Sequence, residues 1–252
     1  MKIGITERGD ASIDYQWVNK LSTVDGAIII TKNITDKFIQ TIIDCMNHGH
    51  KIIVHATCTG WGQSDFEPNV PDYKTQLSQL KKLIDAGFPA DHCVLRMDPI
   101  FPTDNGLKRC IEVLQEFERL NTGVSRVRIS VYDEYRHVKE RLKAKGYEPI
   151  YGTYFYASPN RMHNTAQTLS MFNYKFETCA EDILAQNYPN NFEQVGCVSQ
   201  KDLSILGLQF VPNMSENGQN RHGCHCLTCK TELLTNKFRC PHQCIYCYWR
   251  DK

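Results

Sequence analysis

The chain has 252 residues, 41% hydrophobic and 23% charged, enough to bury a full core as one large domain or as a domain with an appendage, which excludes disorder and fibrous structure. Its 29 Lys+Arg face 28 Asp+Glu, so a net charge of +1 provides no overall field toward nucleic acid or an anionic membrane, although a local basic groove stays open. The opening MKIGITERGD turns polar before a signal-peptide core forms, and no apolar run nears the roughly 20 residues that span a bilayer, so a cytoplasmic protein with no membrane partner is expected.

In chain order, KIGIT, GAIIIT, KIIVHATCT, CVLRM, VRISVY, IYGTYFY and YKFETCA carry the β-rich apolar signal of strands. Between them DYQWVNKLS, KFIQTIIDCMNHG, YKTQLSQLKKLIDAG, GLKRCIEVLQEFERLN, YRHVKERLKAKG and NTAQTLSMF have helical period, with Gly49 and Gly87 where helices stop. Strands alternating with helices predict an α/β fold with a parallel sheet, and seven such units favour a full or partial (β/α) barrel over an open sheet.

In a barrel, functional groups gather where the strands end. Glu7 and Arg8, Lys32, His55 and Thr57, Arg96 and Asp98, Asp133 and Glu134, and Glu177, Cys179 and Glu181 all fall at such ends. Arg96, Asp98 and Glu177 are the catalytic candidates, as groups able to orient a ligand by charge-assisted hydrogen bonds. The plainer reading is that strand ends are polar because they leave the core. The loop TGWGQSDFEPNVP (59–71) follows the third strand, where Asp65, Glu67 and Asn69 either bind substrate or ribose hydroxyls or only fix the loop. Trp61, and the aromatics of YGTYFYASPNRMHN near Arg161 and His163, offer faces for stacking on a base, though aromatic clusters more often form core.

From about residue 184 the pattern breaks into a Gly/Asn/Pro/Cys-rich tail, with one weak strand, TELLTN, before the end. The expected organisation is a barrel body over residues 1–183 and a Cys-rich iron–sulfur segment over 184–252 that completes the barrel. Of 12 cysteines, six lie between Cys224 and Cys247, and thiols in a reducing compartment point to metal ligands or catalysts rather than disulfides.

Cys240, Cys244 and Cys247 form C-x3-C-x2-C, closely spaced ligands that suit a [4Fe–4S] cubane and leave one iron open. An open iron can chelate S-adenosyl-L-methionine and deliver the electron that breaks a carbon–sulfur bond. A tetrahedral zinc site built from Cys226/Cys229 and Cys244/Cys247 is the structural alternative. With Tyr246 before the last ligand, the motif resembles the radical-SAM signature, whose superfamily uses full or partial (β/α) barrels. There the motif usually follows the first strand. Its terminal address here implies a circularly permuted radical-SAM barrel, with TELLTN in the first-strand place and KIGIT second. In that register the resemblance puts Glu7 and Arg8 near the methionyl amino group and implies an electron donor such as flavodoxin or ferredoxin.

TGWGQSDFEPNVP, VLRMDPIFPTD, ETCAED, GC followed by KD (196–202), NRHGCHC and CPHQCIYCYW together resemble the uncharacterised DUF1848 family over nearly the whole chain. The resemblance also implies that Cys179, Cys197, Cys224 and Cys226 belong to the pattern, as a second [4Fe–4S] or zinc centre, with Cys229 as a substitute ligand; the plainer reading makes some of them buried small hydrophobes. The expected function is a radical S-adenosylmethionine enzyme acting on an unknown substrate, a nucleic acid or nucleotide before a small metabolite or peptide. The competing expectation is a non-catalytic, metal-stabilised module that binds nucleic acid or protein.

Overall fold

The computed structural model describes residues 1–209, 224–235 and 240–250. Eight strands form one sheet: β1 (Ile3–Ile5), β2 (Gly26–Thr31), β3 (Ile52–Thr57), β4 (Cys93–Ile100), β5 (Arg126–Val131), β6 (Phe176–Thr178), β7 (Phe192–Gln194) and β8 (Lys230–Glu232). Every pairing is parallel, and β1 to β7 neighbour one another in chain order while β8 lies on the far side of β1. An unbroken order without a switch point is barrel-like rather than doubly wound. Among the described residues no ladder joins β7 to β8, so the barrel is partial.

The helices are α1 (Asp36–Asn47), α2 (Tyr73–Asp85), α3 (Asp104–Leu120), α4 (Arg136–Ala144), α5 (Pro159–Leu169), α6 (Asp182–Asn187) and α7 (Gln200–Ile205). Thr35, Asp72, Thr103 and Ser158 start four of them by accepting first-turn N–H groups. The residue alternation of each strand divides the apolar set in two. Ala27, Ile29, Val54, Leu95 and Val127 pack outward with Phe38, Leu77, Leu80, Val113 and Phe117 of the helices. Ile3, Ile5, Ile28, Ile53 and Val94 face the opposite way, into the barrel, against Val198, Leu203 and Leu206. Among the described residues no helix is long and apolar enough to cross a membrane.

Three expectations need correction. IYGTYFY is not a strand: Gly152 takes φ +63, and the N–H groups of Ile150 and Tyr151 donate to the Glu134 carboxylate at 2.6 and 2.8 Å instead of to a neighbouring strand. Its aromatic content imitates β propensity, and Tyr154 and Tyr156 are left 75% and 60% exposed. The region after residue 184 is more regular than its composition implies, because it supplies β7, α7 and β8 to the same sheet and core. DYQWVNKLS forms a 3₁₀ segment, Tyr15–Thr23, rather than an α-helix. TELLTN corresponds to β8, one residue earlier and shorter; Asn236 lies outside the described residues, as do residues 210–223.

Candidate active site and metal centres

The C-terminal strand ends open into a cavity of about 1160 Å³ counting its mouth, lined by Glu7, Asp10, Lys32, Arg96, Asp98 and Ser130 from the barrel. Its opposite wall is the C-terminal loop: Cys240, Cys244, Cys247, Tyr246, Tyr248 and Trp249. The three cysteines of the terminal motif therefore share one chamber with the charged groups of β1, β2 and β4.

The loop after β3 is the bed on which the cysteine loop lies. Asn69 donates its side-chain amide to the Pro241 carbonyl at 2.7 Å, His242 Nδ1 bonds the Asn69 carbonyl at 3.0 Å, and the Ile245 N–H donates to Phe66 at 3.0 Å. Glu67 is buried and accepts from Thr59 at 2.7 Å, from Lys32 at 2.8 Å and from the Tyr246 hydroxyl. Burial works against the Glu67 carboxylate, but Lys32 together with the Tyr246 and Thr59 hydroxyls holds the acid below its usual range. Of the two roles open to this loop, fixing is what Glu67 and Asn69 do. On the other side Arg141 of α4 donates to the carbonyls of Ile245 at 2.9 Å, Arg250 at 2.8 Å and Cys247. Cys244, Ile245 and Tyr246 then pack with Phe101, Tyr132, Val138 and Leu142. Burial pushes the Cys240 thiol up to about 11 and Cys244 further, so a thiolate here depends on a bound cation.

Two ion pairs form the cavity floor. Arg96 Nε donates to Asp98 at 2.8 Å, and the Ser130 hydroxyl donates to the other Asp98 oxygen. Burial would raise Asp98, yet Arg96 keeps it below the ordinary carboxylate value. Strand β4 shifts register between Met97 and Ile100, a bulge of the kind that re-aims side chains beside sites. Glu7 pairs with Lys230 of β8 at 2.5 Å, and burial followed by the nearby Cys197 pushes its acid upward.

Beneath this floor Cys179, Cys197 and Cys226 converge, their sulfurs all within 4.8 Å of one another. Cys179 and Cys197 stand 3.3 Å apart, and Arg96 reaches Cys197 Sγ at 3.9 Å. Among the described residues this is the single group of three or more Cys, His or acidic ligand atoms so closely gathered, so Cys240, Cys244 and Cys247 are more widely spaced. Cys224 packs nearby but stands outside the group, and Cys226 joins Cys179 and Cys197 rather than Cys244 and Cys247, which removes the zinc site expected from those two pairs.

The family description "Domain of unknown function (DUF1848)" matches residues 12–249. The chain belongs to the DUF1848 family. No curated protein matches it.

In this DUF1848 protein the expected residues divide into those on the cavity and those below it. Glu7, Arg96, Asp98, Tyr246 and the cysteines 240, 244 and 247 line it. Arg8 is exposed with its guanidinium 5.5 Å from the centre of the Trp249 ring. Glu177 does not line the cavity: it is fully buried, binding Arg126 at 2.8 and 3.1 Å and Arg128 at 2.9 Å, with Asp202 completing the cluster. Its polar character at a strand end serves an internal ion network. Trp61 stacks on Phe66 under Arg109, Arg161 donates to the carbonyls of Pro102 and Ile150, and His163 bonds Tyr188, so none of the three is a cavity group.

Sequence reasoning passed over Asp10, His242 and Arg141. Asp10 accepts from Thr31 at 2.6 Å, from the Lys32 N–H at 2.7 Å and from Ser12 at 2.9 Å, and pairs with His242 at 2.8 Å. The signal for His242 was its place inside CPHQC; Arg141, on the exposed-looking YRHVKERLKAKG helix, had none.

Proposed function

We propose that this protein is a radical S-adenosylmethionine enzyme in a permuted barrel, with Cys240, Cys244 and Cys247 as ligands of its [4Fe–4S] cluster. The observation that carries the reading is that these three cysteines wall the cavity over the strand ends, facing Glu7, Lys32, Arg96 and Asp98. Their spacing, wider than the Cys179 group, suits a cubane, where each thiolate binds a different iron. Cys240, Cys244 and Cys247 would hold such a cluster through three of its irons, and when bound it would supply one-electron reductive cleavage of S-adenosylmethionine to methionine and a 5′-deoxyadenosyl radical, the electron coming from a flavodoxin or ferredoxin.

The chain's own groups have matching tasks. Glu7 and Asp98 offer carboxylates to an ammonium, while Lys32 and Arg96 offer cations to a carboxylate, all in a low-dielectric chamber that strengthens such pairs. Tyr135 and Tyr248 stack at the cavity wall and give a flat ring a surface to lie on, which supports a nucleotide or nucleic acid as the substrate class. The position of β8 beside β1 supports the permuted reading, because it makes the strand before the cysteine loop the neighbour of the chain's first strand.

Anaerobic reconstitution with iron and sulfide tests this. The expected result is a brown protein that makes 5′-deoxyadenosine from S-adenosylmethionine under reduction, an activity lost in Cys244→Ala. A chain that stays colourless and produces none after reconstitution, while remaining folded, overturns it.

A further inference from the structure

Three segments far apart in the chain bring thiols to one point. Cys179 directly follows β6, Cys197 lies just past β7, and Cys226 just precedes β8. Strands β7 and β8 are the two outer strands of the sheet, so this point is the seam where the barrel does not close by strand pairing. The segments touch there. The Leu227 N–H donates to the Val198 carbonyl at 2.9 Å, and the Cys197 N–H points at Cys226 Sγ at 3.2 Å. A Cβ on Gly196 would lie 2.4 Å from the His225 carbonyl oxygen, so only glycine permits the approach.

We propose that Cys179, Cys197 and Cys226 bind a single tetrahedral metal ion of the zinc class, which clasps the barrel seam between β7 and β8. Four thiolates at about 2.3 Å from zinc lie roughly 3.8 Å from one another. Sulfurs that all fall within 4.8 Å, one pair at 3.3 Å, match ligands of one shared ion. A cubane requires more room, since each cysteine sits outboard of a different iron. The set is purely thiolate, which selects soft or borderline ions over magnesium or calcium. Thiols that served only as small hydrophobes would have no reason to converge from three segments. An N–H aimed at Cys226 and the Arg96 guanidinium beside Cys197 are outer-shell partners of the kind that orient metal ligands. The Cys179–Cys197 separation is well beyond a disulfide bond, and all three thiols are free. The fourth position is completed by a ligand outside the triad. The ion joins the two ends of the sheet as strand hydrogen bonds join its interior.

The test uses the full chain carrying Cys240→Ser, Cys244→Ser and Cys247→Ser together, purified with zinc, beside the wild type. One zinc per chain is expected in both, with zinc-edge X-ray absorption showing at least three sulfurs at about 2.3 Å. Adding Cys197→Ser to the triple variant should bring zinc to background. Iron with equimolar sulfide in the reconstituted triple variant would overturn the proposal in favour of a cubane. So would a metal-free wild type with a Cys179–Cys197 disulfide by mass spectrometry. If the Cys197→Ser chain does not fold, the sulfur count in the wild type and triple variant decides alone. Loss of the radical-SAM reading would appear differently, as absence of a cluster at Cys240, Cys244 and Cys247 with the zinc retained.

Discussion

His242 Nε2 stands 2.8 Å from the Asp10 carboxylate, both buried, so the loop after β1 and the cysteine loop near the far end of the chain meet in an ion pair. Burial opposes charge on both groups, and the pair overcomes it: His242 is raised above its ordinary value by Asp10, and Asp10 is lowered by His242 and Thr31. Asp10→Asn keeps the shape but removes the charge. It should destabilise the chain by about 2 kcal/mol and lower the iron retained after reconstitution, read by urea unfolding and iron analysis.

Arg141 of α4 binds three carbonyls of the cysteine loop. Arg141→Ala strands those carbonyls, at about 1–3 kcal/mol of local stability. Limited proteolysis should then cut after residue 240 several-fold faster, while cleavage in the barrel body is unchanged.

Glu177 governs an acid transition. Burial would raise its pKa, but Arg128 and then Arg126 hold it down at about 2, against 4.5 for the free acid. A depressed acid contributes stability that is complete above the unfolded value and is lost as pH falls through the folded one. The window is therefore pH 4.5 down to about 2, and the contribution at neutral pH is about 3 kcal/mol. Glu177→Gln should be less stable at pH 7 and should lose the wild type's steep fall in unfolding free energy between pH 4.5 and 2.

Gly196→Ala brings a methyl group to 2.4 Å from the His225 carbonyl oxygen, so backbone must separate at the seam. A loss of about 1–3 kcal/mol is expected, with faster amide exchange at Leu227, whose N–H crosses the seam.

Cys224 sits outside the triad although only one residue separates it from Cys226. Cys224→Ser should leave the zinc content of the chain unchanged by metal analysis, whereas Cys179→Ser should remove it.

Much of this was legible in the residues. The period-2 and period-3.6 runs marked seven of the eight strands and the helices α1 to α5, missing β7, α6 and α7, and the close spacing of Cys240, Cys244 and Cys247 stood out before any geometry was known. Glu177 shows where that legibility stops. A carboxylate at a strand end has the same local sequence signal whether it meets a ligand or two arginines, and the partners Arg126 and Arg128 lie 51 and 49 residues away. IYGTYFY failed for a related reason, since aromatic content reports a preference for a pleated surface but not whether a strand edge is there to receive it.

By itself the sequence determined the alternating α/β pattern, the close spacing of the three terminal cysteines and the constrained loop after β3, because each depends on residues close together in the chain. Only the tertiary structure decided that β8 pairs with β1, that the loop after β3 carries the cysteine loop, and that Cys179, Cys197 and Cys226 form their own group away from Cys224. Those relations join residues from 18 to more than 200 positions apart, and it is burial in one parallel sheet, not local propensity, that brings them together.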